Sequence, residues 1–377
     1  MKRLLLILML AIPGLPALCC TTAIVSAGAS RSGRPMIWKQ RDSGEKNTCV
    51  AYVRGGRFGY TGLFTVADTL RRSAYAGINE AGFAIANNLS YNLLPDSLNL
   101  APHNGRLMAE ALGSCASLED FEALLAAKAC PMRLSANFAV VDASGGAAYF
   151  EVEDYSVVRF DVPEGGYLFR TNFSLSGDEG RGRGYARYAT EEALMARKGG
   201  RFDAEFFFGM GRSFVNVLTG GDALKGRRDG YIYEHDFIPR STSTSSVVIE
   251  GALPGERPDS GLMWVADGYT PCCYAVPVWV AAGACLPSFI TGDAPANRLA
   301  ERLHGSFSTV EWDSKYLEVA HLSRSIRLTQ SFERREFAAG RKLDKLFRSG
   351  GFNIEAVERY NAEAADRFNL FYSKFDL

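Results

Sequence analysis

Along the chain, β-branched and apolar residues first gather at Cys20-Thr21-Thr22-Ala23-Ile24-Val25, then at 35–39 and 48–54, with Gly- and Ser-rich turns between them. Short runs of this kind, bounded by turn residues, predict strands. Arg31-Ser32-Gly33-Arg34 has turn chemistry, so the first two strands are predicted to form a hairpin that returns residues 38–42 alongside Cys20. The period changes at Ser117. That residue can cap a helix, Asp120 sits in the first turn, and Leu118, Phe121, Leu124 and Leu125 make one apolar face. Strands resume at 136–141, 147–152 and 167–171, and residues 185–197 and 204–218 read as helical. Segments 245–249 and 262–266 are again strand-like, and 274–280 is apolar. From about Ala296 the pattern is mainly helical, ending in an Asn353-capped segment through Phe371. Strands framed by helical layers predict a layered α+β fold. No repeat, low-complexity tract or long linker divides residues 20–377, which therefore read as one domain.

Composition adds little to that picture and charge removes some partners from it. Lys plus Arg and Asp plus Glu number 42 each, so no overall field recruits nucleic acid or an anionic membrane. A small molecule or neutral polymer is the expected partner. His103, His235, His304 and His321 are scattered and no cysteine pair has metal-ligand spacing, so neither a zinc site nor any other metal or cofactor is expected. Gly180-Arg181-Gly182-Arg183-Gly184 lacks the spacing of a phosphate-binding fingerprint and reads as a flexible loop. The basic run from Arg334 to Lys345 is interleaved with Glu333, Glu336 and Asp344 and reads as a solvated helical face.

Residues 1–19 are a different object. Lys2 and Arg3 precede the apolar run Leu4 to Leu10, and Pro13, Gly14 and Pro16 break helix before Ala17-Leu18-Cys19. Small residues at −3 and −1 place signal-peptidase cleavage before Cys20. The run is too short for a membrane anchor, which needs about 20 continuous apolar residues. Export is therefore expected, periplasmic or secreted, with no integral span after processing. A lipoprotein signal, with lipid on Cys19 or Cys20, is the alternative. Cleavage leaves Cys20, Cys49, Cys115, Cys130, Cys272, Cys273 and Cys285, an odd count that fits one free thiol and up to three disulfides.

An N-terminal cysteine carries both a nucleophile and a base. Its thiol has an ordinary pKa near 8.5 and its α-amino group one near 7.7–8.0, so the amine can accept the thiol proton near neutral pH. N-terminal-nucleophile chemistry of this kind needs no histidine. Downstream stand Trp38-Lys39-Gln40-Arg41-Asp42, Gly77-Ile78-Asn79-Glu80-Ala81-Gly82, Asn87-Asn88 and Arg170-Thr171-Asn172, in that order. With Cys20-Thr21-Thr22 this ordered set resembles the linear amide C–N hydrolases of the N-terminal-nucleophile superfamily: choloylglycine hydrolases, penicillin V acylases, acid ceramidase and isopenicillin N acyltransferase-like proteins.

The resemblance implies a four-layer αββα N-terminal-nucleophile hydrolase sandwich with a helical C-terminal region and the nucleophile, Cys20, opening a central strand. It implies that Asp42 orients the α-amino group, that Lys39 or Arg41 favours the thiolate, and that Asn172, with Asn88 or Asn87, holds the oxyanion. Arg187 matches a late site arginine. Trp38, Phe58, Tyr60 and Phe64 are candidates for an acyl pocket, although aromatic residues at strand positions more often belong to a core. Asn88-Leu89-Ser90 and Asn172-Phe173-Ser174 are also glycosylation sequons, a reading that excludes a role in a closed pocket. The expected activity is hydrolysis of a linear non-peptide amide such as an N-acyl amino acid, a bile-salt-like or a penicillin-like compound. An acyltransferase and a secreted binding protein or lipoprotein on the same scaffold are the alternatives. Assembly state is not legible.

Overall fold

The computed structural model describes residues 20–93, 103–234, 236–309 and 316–375. The expected signal segment and His235 lie outside them. In chain order the strands are β1 (Thr21–Val25), β2 (Met36–Asp42), β3 (Thr48–Val53), β4 (Tyr60–Thr65), β5 (Ala76–Asn79), β6 (Ala84–Leu89), β7 (Ala136–Val141), β8 (Ala147–Val152), β9 (Val157–Asp161) and β10 (Tyr167–Arg170). Short ladders join β11 (Val215–Asn216) to β12 (Gly221–Asp222) and β13 (Tyr231–Tyr233) to β17 (Tyr316–Glu318). Between these lie β14 (Ser243–Glu250), β15 (Leu262–Ala266) and β16 (Val276–Trp279). The helices are α1 (Asn104–Ser114), α2 (Leu118–Ala126), α3 (Tyr185–Lys198), α4 (Ala204–Met210), α5 (Pro295–Phe307), α6 (Val319–Gly350) and α7 (Ile354–Tyr372).

Two antiparallel sheets form the centre. The first has the order β10-β1-β2-β14-β15-β16 and the second runs β3 to β9 without a crossover. Side-chain alternation assigns the layers. Trp38 on β2 and Trp264 on β15 face outward, where they meet Phe207 of α4 and Phe337 of α6. Thr22 and Lys39 face inward and reach the second sheet at Asn88, Tyr149 and Asn87. Phe64, Ile85, Phe138 and Phe150 project from the other side of that second sheet into a separate core with α1 and α2. The result is helices, sheet, sheet, helices. The layered α+β expectation, its αββα order and the helical C-terminal region all hold.

The first hairpin forms as expected, with Thr21 opposite Gln40 and Val25 opposite Met36. Ser117 and Asn353 cap α2 and α7, accepting from the N–H groups of Asp120 and Ala356. The helix expected over 204–218 is shorter. It ends at Met210, and the Arg212 guanidinium beyond it is held by Glu333 through two contacts of 2.6 Å. The basic stretch of α6 also needs correcting, because its acidic residues do not face solvent. Glu333 takes Arg212, and Glu336, fully buried, takes Arg367 and Tyr360. Tight packing of α6 on the first sheet depends on Gly340, where a Cβ would lie 2.6 Å from the Trp264 ring.

All seven cysteines from Cys20 onward are free thiols, so the bridges that their number allows do not form. Among the described residues, no helix is long and apolar enough to cross a membrane.

Candidate active site

Register places the candidate nucleophile. Cys20 immediately precedes β1, and the β1–β2 pairing carried one residue back sets it opposite Arg41. Thr22 pairs with Arg170 on the other side, so the same continuation sets Cys20 opposite Asn172. Residues two apart share a face of a strand, so Cys20 points with Thr22 towards the second sheet. The sequence brings these residues together because two polar strand ends, 40–42 and 170–172, flank the start of one apolar strand.

Arg187 closes the arrangement from α3. Its Nη1 donates to the Cys20 carbonyl at 2.8 Å and to Thr21 Oγ1 at 2.6 Å, and its Nη2 donates to Asn172 Oδ1 at 2.8 Å. One fully buried guanidinium thus ties Cys20, the candidate nucleophile, to the candidate asparagine Asn172. Asn172 Nδ2 donates to the Leu89 carbonyl at 2.7 Å, which takes one of its two N–H donors.

Asn88 differs in the respect that matters. It is fully buried, its Oδ1 accepts from Thr22 Oγ1 at 3.0 Å, and its Nδ2 has no partner. Buried polar groups are almost always satisfied, so an orphaned donor calls for an explanation. Adjacent Asn87 is engaged instead with Lys39, whose Nζ donates to Asn87 Oδ1 at 2.9 Å and to the Tyr75 carbonyl at 2.8 Å.

Burial lowers the Lys39 pKa to about 8, opposed by the charge of the Cys20 thiolate and reinforced by Arg41. Lys39 therefore carries its charge at neutral pH and loses it in mildly alkaline solution. Replacing it with arginine, which stays charged, is expected to move the alkaline limb of kcat/KM from about pH 8 to at least a unit higher. A pH–rate profile of Lys39→Arg checks this, and an unmoved limb would assign it to another group. The stability effect has the opposite sense. Between about pH 8 and the ordinary 10.5 the unfolded chain binds more protons at this lysine than the folded one, so its contribution to stability rises with pH across that window.

Arg41 lies 4.0 Å over the Tyr75 ring and donates to Thr244 Oγ1 and the Glu45 carbonyl. Asp42 is buried. Its carboxylate accepts from Arg240 Nε at 3.0 Å and Ser243 Oγ at 2.6 Å, while its backbone carbonyl receives the Cys20 thiol at 3.8 Å. Two carboxyls close by are pushed up by burial, Glu234 to about 8 and Asp267 to about 8.

All eight candidate residues thus gather at one end of the sheets, but the aromatic candidates do not. Trp38 faces away to stack on Phe207, and Tyr60 and Phe64 lie in the α1–α2 core. Phe58 sits in the loop before β4, its N–H bonded to Gly113 at the end of α1. Asn88 and Asn172 are both fully buried, so neither sequon is open to glycosylation in the folded chain.

Several participants carried no warning in the sequence. Tyr149 donates to Thr22 Oγ1 at 2.9 Å, fixing the hydroxyl that holds Asn88. Arg240 and Ser243 reach Asp42 from about 200 residues away. The available signal was polar residues at inward positions of apolar strands, as at Asn137 between Ala136 and Phe138.

No family model and no curated protein matches the chain. Solved structures do. An N-acylethanolamine-hydrolyzing acid amidase ortholog from Caenorhabditis elegans is 14% identical over 61% of this chain and 92% of its own, with a TM-score of 0.43. A variant of the conjugated bile acid hydrolase from Clostridium perfringens is 12% identical over 70% of this chain and 93% of its own, TM-score 0.42. Penicillin V acylase from Agrobacterium tumefaciens is 15% identical over 68% and 85%, TM-score 0.37. By name the three are an amidase, a hydrolase and an acylase.

Proposed function

We propose that this chain is an exported cysteine amidase that hydrolyses a linear non-peptide amide through an acyl-enzyme on Cys20, once removal of residues 1–19 frees the α-amino group. The observation that carries the reading is the unsatisfied Nδ2 of Asn88, buried and held through Thr22 on the face that Cys20 shares. A buried amide donor with no protein partner, held on the sheet face that carries the thiol, is suited to an oxygen that becomes negative only during reaction.

The α-amine takes the thiol proton and the sulfur attacks the acyl carbon, while negative charge collects on the former carbonyl oxygen at Asn88 Nδ2. Lys39 favours the thiolate, and Asp42 fixes the β2 end opposite Cys20. The protonated amine returns its proton to the departing nitrogen as the C–N bond breaks. Water then adds to the thioester with the amine as base, releasing the acid and restoring the thiol. Arg187 positions both Cys20 and Asn172 and takes no proton.

The test is the intact mass of the processed chain together with turnover of N-acyl amino acids, bile-salt conjugates and penicillin V. A chain beginning at unmodified Cys20 that releases acid from one of these supports the reading. An equally active chain whose Cys20 amine is extended or acylated overturns it.

A further inference from the structure

The loop Gly180-Arg181-Gly182-Arg183-Gly184 takes no part in the mechanism above, yet one of its residues stands at the site. Arg183 forms an isolated antiparallel bridge with Asn172, its N–H donating to the Asn172 carbonyl at 3.1 Å. Carrying the β1–β10 pairing two residues past its last pair, Thr22 with Arg170, sets Asn172 opposite Cys20. Directly opposed residues of an antiparallel ladder project to one face, so Arg183, Asn172 and Cys20 share theirs. Two inter-strand steps of about 4.8 Å separate the backbones of Arg183 and Cys20.

The Arg183 side chain is exposed, and its guanidinium lies 4.5 Å from the centre of the Tyr91 ring. The Tyr91 N–H donates to the same Asn172 carbonyl at 3.2 Å, so both residues hang from one point of the site. Among the described residues no carboxylate pairs with Arg183. A planar cation resting on an aromatic face, its donor edge open, is arranged for bidentate capture of an oxyanion.

Charge around the nucleophile points the same way. Lys39 and Arg41 hydrogen-bond neutral oxygens, and the buried Asp42 carboxylate is already paired with Arg240. Glu191, one turn along α3 from Arg187, is fully buried with neither oxygen hydrogen-bonded, and burial drives it towards the neutral acid. Lys39 and Arg41 thus carry charge with no carboxylate hydrogen-bonded to them, and Arg183 adds a third, exposed cation.

We infer that Arg183, stacked on Tyr91, is a specificity-determining residue that selects substrates bearing an acidic group within a few bonds of the scissile amide, as in an N-acyl amino acid. Carboxylate and sulfonate share the required chemistry. The inference rests on Cys20 being the nucleophile, and its test separates the two claims.

The mature chain is alkylated with iodoacetate or iodoacetamide, reagents of similar size that differ in charge, and the rate at each cysteine is read by peptide mass. Exposed Cys130 serves as the internal reference. Arg183→Glu is expected to lower the iodoacetate-to-iodoacetamide rate ratio at Cys20 about fourfold at low ionic strength, the scale of reversing one solvent-facing charge about 10 Å away. The ratio at Cys130 stays constant, and Arg183→Lys keeps most of the Cys20 preference. A Cys20 ratio that moves less than twofold overturns the charge selection and leaves the nucleophile standing. A Cys20 inert to both reagents overturns both claims. On turnover, kcat/KM for an N-acylglycine should fall about tenfold in Arg183→Glu, and for the N-acylethanolamine of the same acyl chain less than twofold. Equal falls would mean a structural loop and sink the proposal.

Discussion

Cys20→Ala is expected to cut turnover of any amide the mature chain hydrolyses by about 10⁴-fold or more, the scale on which removal of a covalent nucleophile acts. The fold should survive the change. The thiol makes one weak hydrogen bond, to the Asp42 carbonyl at 3.8 Å, so its loss should cost about 1 kcal/mol or less. Chemical denaturation therefore separates a dead site from a broken fold. Cys20→Ser keeps the geometry but asks the α-amine to deprotonate a far weaker acid, and should retain only a small residue of the rate. Wild-type turnover by the alanine variant would remove Cys20 from the chemistry whatever its position.

The second large effect is at Arg187, and it should appear in stability and rate together. The guanidinium is 1% exposed and serves the Cys20 carbonyl, Thr21 Oγ1 and Asn172 Oδ1. Arg187→Met leaves these acceptors buried and unpaired, at about 1–3 kcal/mol for each group that finds no water. We expect a loss of about 3–5 kcal/mol in denaturant unfolding, the sum of up to three such acceptors after partial relaxation. Because the backbone of Cys20, the proposed nucleophile, is then unpinned, kcat should fall about 10²-fold even where the protein is folded. Arg187→Lys keeps the charge but not the fork, so it should restore stability more than rate. An Arg187→Met variant with unchanged unfolding and kcat would reduce the clamp to an incidental contact.

Much of this site is legible along the chain because it is built by strand register. The hairpin from Cys20 to Asp42 follows from local pattern and turn chemistry, and it carries Cys20, Lys39, Arg41 and Asp42 with it. Asn172 and Asn88 needed the ordered motif, since nothing local distinguishes a buried site asparagine from a sequon. Division of labour among the asparagines was hidden. Asn87 and Asn88 are adjacent, yet one receives Lys39 and the other keeps a free donor, a difference set by which way each side chain leaves β6. The aromatic candidates failed for a related reason. Alternation sends Trp38 to the face opposite its neighbours Lys39 and Ile37, and Tyr60 and Phe64 belong to a strand whose aromatic face packs on helices. Residue type named them; only the pairing of strands decides which side of a sheet they serve. Tyr149, Arg240 and Ser243 were invisible because their partners are more than 120 residues distant.

The first strand has a consequence for how the molecule is made. β1 pairs early with β2, but its other neighbour is β10, and β2 waits for β14, which ends at Glu250. A growing chain therefore carries its thiol through most of synthesis with half of the surrounding scaffold unbuilt. Contacts that span so much sequence close late and slowly. Any chemistry at Cys20 should arrive abruptly, once about two-thirds of the polypeptide exists, and until then its surroundings are incomplete.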